Sequence, residues 1–85
     1  MPILHILSAK VVADHVLHVQ FSNGVQKTVD VLPLLVGPVF DPLYNVNYFA
    51  QVAVDPVCKT VVWPNGADLA PEALFDLDDV AVSSS

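Results

Sequence analysis

The chain has 85 residues, which is enough for one domain near the lower size at which a core forms without disulfides or a metal. It is 54% hydrophobic and 14% charged, against about 45–50% and about 25% in ordinary globular chains, so a protein partner or a homo-oligomer is expected to cover part of the apolar excess. Nine acidic residues face three lysines and no arginine, a net charge of -6 that leaves little to neutralise phosphates or grip bases and argues against direct nucleic-acid binding.

No apolar run reaches the roughly 18 residues of a membrane span, because Pro33, Gly37 and Pro38 break the richest stretch, Val31 to Phe40. The first ten residues have Lys10 after their apolar run rather than before it, unlike a signal peptide. With a single Cys58 there is no disulfide framework, and a cytoplasmic setting is expected.

Residues 8 to 13 are short and β-branched and lead through Asp14-His15 into VLHVQF, where Leu17, Val19 and Phe21 alternate with His18 and Gln20. That period of two marks a half-buried strand. Ser22-Asn23-Gly24 suits a tight turn, and VQKTVDV then alternates Val25, Val29 and Val31 against Gln26, Thr28 and Asp30, so residues 8 to 31 are expected to form a three-stranded meander. Lys27 is the polar exception on its apolar face.

From Leu32 to Leu43 three prolines and a glycine forbid a long element, although Asp30 can cap a single turn and the leucines are expected to cover the sheet. Asn45 or Asn47 can start another turn that carries Tyr48 and Phe49. Gln51 to Val54 and Thr60 to Trp63 read as two further strands, joined through Asp55-Pro56-Val57-Cys58-Lys59. Leu69 to Phe75 has Pro71 and Glu72 where a helix begins, with Asp68 as the candidate cap. Residues 1–79 are thus expected to form one α+β domain with an antiparallel sheet of about five strands and one or two short helices, and residues 80–85 a frayed tail. The expected core is Leu17, Val19, Phe21, Val29, Val52, Val54, Val61 and Trp63.

The order Phe21-Ser22-Asn23-Gly24, Asp30, Gly37 to Leu43, Phe49 with Val52 to Asp55, and the tract from Thr60 through Trp63-Pro64-Asn65-Gly66-Ala67-Asp68-Leu69-Ala70-Pro71-Glu72 to Leu74 resembles domain-of-unknown-function family 2442 over about residues 8 to 76. The resemblance implies a small bacterial α+β protein on an antiparallel sheet, without an assigned activity or catalytic residues. It also implies, for some relatives, an appended helix-turn-helix or a neighbouring gene in a toxin–antitoxin-like pair. After the matching tract this chain is expected to be too short for the helix-turn-helix. Lys59 stands where relatives often have Gly, and Phe75 where Tyr is common.

Trp63, Asn65 and Asp68 form the most site-like group, one aromatic surface and two polar side chains around a turn. Turn chemistry and capping already account for each of them, so a structural role is the expectation and a binding site the alternative. His15 and His18 are three apart, which places them on opposite faces of a strand and away from a shared metal, and His5 lies far from both. Asp76, Asp78 and Asp79 lack the alternation and distal Glu of a calcium loop and read as a solvated acidic run. No elbow or Cys–His pairing suggests nucleophilic catalysis, and no cofactor or metal is implied. The expected function is a non-catalytic interaction module, and the alternative is a small-ligand binder or enzyme around Trp63, Asn65 and Asp68.

Overall fold

A computed structural model describes residues 4–80. Strands β1 (Ile6–Ala13), β2 (Val16–Phe21) and β3 (Gln26–Asp30) form an antiparallel meander in that order, with Leu17 opposite Val11 and Val29. The alternation of β2 turns Leu17, Val19 and Phe21 inward, all fully buried, and leaves His18 and Gln20 on the other face. Each such burial contributes about 1.5–3 kcal/mol.

Chain crossing follows as two 3-10 turns, Leu32–Leu34 and Pro38–Tyr44, and then α1 (Val46–Phe49). The expected Asp30 cap is not formed: the first turn has Val31 as its N-cap without a side-chain cap bond, and Asp30 instead accepts locally from the Leu32 amide at 3.0 Å, whereas Asn45 caps α1 by accepting from Asn47 and Tyr48. Leu35, Leu43 and Phe49 fill the core from this segment.

The remaining strands do not join the first sheet. Strands β4 (Ala53–Val54), β5 (Val61–Val62) and β6 (Asp68–Leu69) form a second antiparallel meander, followed by α2 (Pro71–Phe75). The expected single five-stranded sheet is therefore two sheets of three. The reason is local: Pro33, Pro38 and Pro42 deny the connector a strand, and the second sheet has two-residue strands that pack against the first through the shared core, with the loop between β4 and β5 tied to β1 where the Ile6 amide donates to the Lys59 carbonyl at 2.9 Å.

Asp68 lies in β6, opposite Val62, and the N-cap of α2 is Ala70, which has no side-chain cap bond. The expected helix cap is thus absent, and Asp68→Ala is not expected to cost the roughly 1 kcal/mol of a lost cap. Val52 and Val54 are half-buried, while Ile6, Val31, Leu69 and Leu74 join the core beyond the residues expected there. Asp79 is more than solvated tail: its carboxylate accepts from the Thr28 amide at 3.0 Å, and the Val80 amide donates to the Thr28 carbonyl at 2.7 Å. Of the expected frayed tail, residues 81–85 lie outside the described residues.

Candidate functional site

The junction after β5 is a tight hairpin loop. Gly66 donates to the Trp63 carbonyl at 2.9 Å, the Trp63 amide donates to the Ala67 carbonyl at 2.9 Å, and Gly66 supplies the positive φ of 88° that ends the turn. Asn65 Oδ1 accepts from the Ala67 amide at 3.0 Å, while its Nδ2 donates to the Val39 carbonyl at 2.8 Å and ties the loop to the connector. Trp63 is 3% exposed, donates Nε1–H to the Phe49 carbonyl at 2.9 Å, and sets its ring 5.4 Å from that of Phe49. Its indole therefore faces the core. Asp68 is exposed and lies at the start of β6, directly after Ala67, and no side-chain bond joins it to Trp63 or Asn65.

The turn between β2 and β3 repeats this construction. Gly24, at φ 89°, donates to the Phe21 carbonyl, the Phe21 amide donates to the Val25 carbonyl, and Asn23 Oδ1 accepts from the Val25 amide at 3.1 Å. Each loop hangs from a buried aromatic ring, Phe21 in one and Trp63 in the other.

The histidines go to different neighbours. His15 Nε2 donates to the Leu43 carbonyl at 2.9 Å with its ring 5.0 Å from Phe49, whereas His18 bonds Thr28 and Gln26 at 3.0 Å on the outer face of the sheet. Among the described residues no group of three His, Cys, Asp or Glu side chains is placed to hold a metal ion. Cys58 is exposed in the loop after β4, where Asp55 accepts from the amides of Cys58 at 3.1 Å and Val57 at 2.7 Å. Those two bonds hold the Asp55 carboxyl below the usual carboxylate range.

A second feature is a shallow concavity of about 430 Å³ at the turn between β1 and β2, lined by Ala13, Asp14, His15, Val16, Asp30 and Leu32. Three of its lining residues, Ala13, Val16 and Leu32, are apolar and two, Asp14 and Asp30, are acidic.

A family model described as a protein of unknown function, DUF2442, matches residues 6–79. The chain belongs to the DUF2442 family. That stretch includes both Asn-Gly hairpins, both sheets and α2. Neither the curated proteins nor the solved structures include a match. In this DUF2442 domain the sequence pointed to the Trp63 corner through its turn residues. It did not point to the concavity, whose walls come from the two ends of the meander, although Asp30 was marked as the opening of a turn.

Proposed function

We propose that this DUF2442 domain is a non-catalytic protein-interaction module. The observation that supports the reading is where its exposed apolar side chains fall. Of the nine large exposed apolar side chains among the described residues, five, Leu32, Val36, Val39, Tyr44 and Val46, fall on the connector between the sheets, the others being Leu7, Val12, Val25 and Val57, while the polar atoms of Trp63 and Asn65 are engaged within the chain. A concentration of exposed apolar side chains on one connector is the kind of surface a partner covers. The finer form of the proposal is a cytoplasmic, acidic protein that binds a protein partner or itself, as one member of a toxin–antitoxin-like gene pair. Direct nucleic-acid binding is not part of it, since Lys27, one of three lysines, is directed at the carbonyls of Phe75 and Leu77. No helix among the described residues is long and apolar enough to cross a membrane.

Light scattering of the purified chain, together with affinity capture from a lysate of its source organism, tests the reading. A defined heteromeric or self-associated complex is expected; a strict monomer that captures nothing overturns it. The alternative, a ligand pocket or enzyme site at Trp63, Asn65 and Asp68, is favoured only by the exposed carboxylate of Asp68. Asp68→Ala separates the two: unchanged complex formation is expected, and loss of binding at constant melting temperature would favour the alternative.

A further inference from the structure

Resting on the interaction-module reading, we infer that the concavity between Asp14 and Asp30 is the docking point of that module, and that it takes a partner segment with an Arg or Lys side chain flanked by apolar residues. The concavity supplies both halves of that chemistry. Asp14 and Asp30 give it negative charge, and Asp30 has one carboxylate oxygen on the Leu32 amide while the other, with no partner among the described residues, can receive a cation. Ala13, Val16 and Leu32 give it an apolar lining. Leu32, 40% exposed, continues this lining onto the connector, and Tyr44, 50% exposed, lies beside His15 with the rings 6.4 Å apart.

The chain's own cations are placed elsewhere. Lys27 closes the end of α2, Lys59 adjoins Ile6 at the opposite end of β1 from Ala13, and Lys10 sits in mid-strand opposite His18. A second copy is a poor occupant of this face. A two-fold contact would set Asp14 and Asp30 against their own images in a molecule already at net charge -6. The complementary surface is therefore a different protein, basic where this one is acidic.

The test uses the full chain and three synthetic peptides of repeating dipeptides: Leu-Arg, Ser-Arg and Leu-Glu. In amide NMR titrations, Leu-Arg is expected to shift signals of Ala13 to Val16, Asp30 and Leu32, and its affinity is expected to fall as salt rises. Asp14→Asn with Asp30→Asn should weaken it about tenfold, about 1.4 kcal/mol. Asn at position 30 keeps an acceptor for the Leu32 amide, so the fold is retained. Ser-Arg should bind more weakly than Leu-Arg, and Leu-Glu not at all. Shifts centred elsewhere, equal binding of Ser-Arg, or unchanged affinity of the double variant overturns the inference. If a partner captured by the wild type is held equally by the double variant, the docking point is refuted and the interaction reading stands; if the wild type captures nothing, the interaction reading itself fails.

Discussion

Lys59 is the single non-glycine residue in the left-handed region among the described residues, at φ 60°. A Cβ there crowds the following carbonyl, so Gly would fit this position without strain. Lys59→Gly is expected to raise stability by about 0.5–1 kcal/mol, the relieved strain less the extra freedom of an unfolded glycine, in urea denaturation. Lys59→Ala should bring no such gain, since it keeps the Cβ. In the same loop, the amides of Cys58 and Val57 favour the ionised form of Asp55 and lower its pKa. A group whose pKa is lower when folded stabilises the protein above its unfolded pKa, about 3.9, and ceases to do so as pH falls through the folded value. Asp55→Asn keeps the acceptor oxygen and removes the charge. Its melting temperature is therefore expected to lie below that of the wild type near neutral pH and to converge with it below about pH 4; a constant gap would show that the charge contributes nothing.

At the scale of elements, Lys27 is the polar residue on an apolar strand face that the sequence left unexplained. Its ammonium donates to the carbonyls of Phe75 and Leu77 at the end of α2 and lies 5.1 Å from the centre of the Phe75 ring. It thus satisfies helix-end carbonyls, supplies a cation where the helix dipole is negative, and staples α2 to β3. Lys27→Met, which preserves the apolar stem, is expected to cost about 1–3 kcal/mol in denaturant unfolding, the price of leaving polar groups without partners. β2 and β3 were legible because five or six alternating residues carry a period. Asp68-Leu69 was not, since two residues carry none and the following Pro71-Glu72 announces a helix. At the candidate site the Asn65-Gly66 turn was equally legible, its chemistry being local. The concavity was hidden because Asp14 and Asp30 meet only through the pairing of Ala13 with Val16 and of Val16 with Asp30.

For the whole molecule, the two sheets share one core. Phe49 and Trp63 pack at 5.4 Å between the connector and the second sheet, and Phe21 meets Phe75 edge-on at 5.1 Å between the first sheet and α2. Neither meander has an interior of its own, so a single cooperative transition is expected. Trp63 fluorescence should follow the second sheet and the Val19 methyl signals the first; midpoints that separate in urea would show two independently folding halves. Of this arrangement the sequence disclosed the apolar alternation but not the division between sheets, which depends on how a proline-broken connector folds back over both. The paired Asn-Gly corners carry a chemical consequence. Asparagine before glycine ages by attack of the glycine nitrogen on the side-chain amide, expelling ammonia through a cyclic imide, and that closure needs a free nitrogen and a mobile amide. Here Gly24 and Gly66 donate into the turn, and Asn65 is held at both ends while Asn23 is held at one. Ageing at position 65 thus waits on opening of the molecule, and isoaspartate gathered there keeps a cumulative record of how often the native state has come undone.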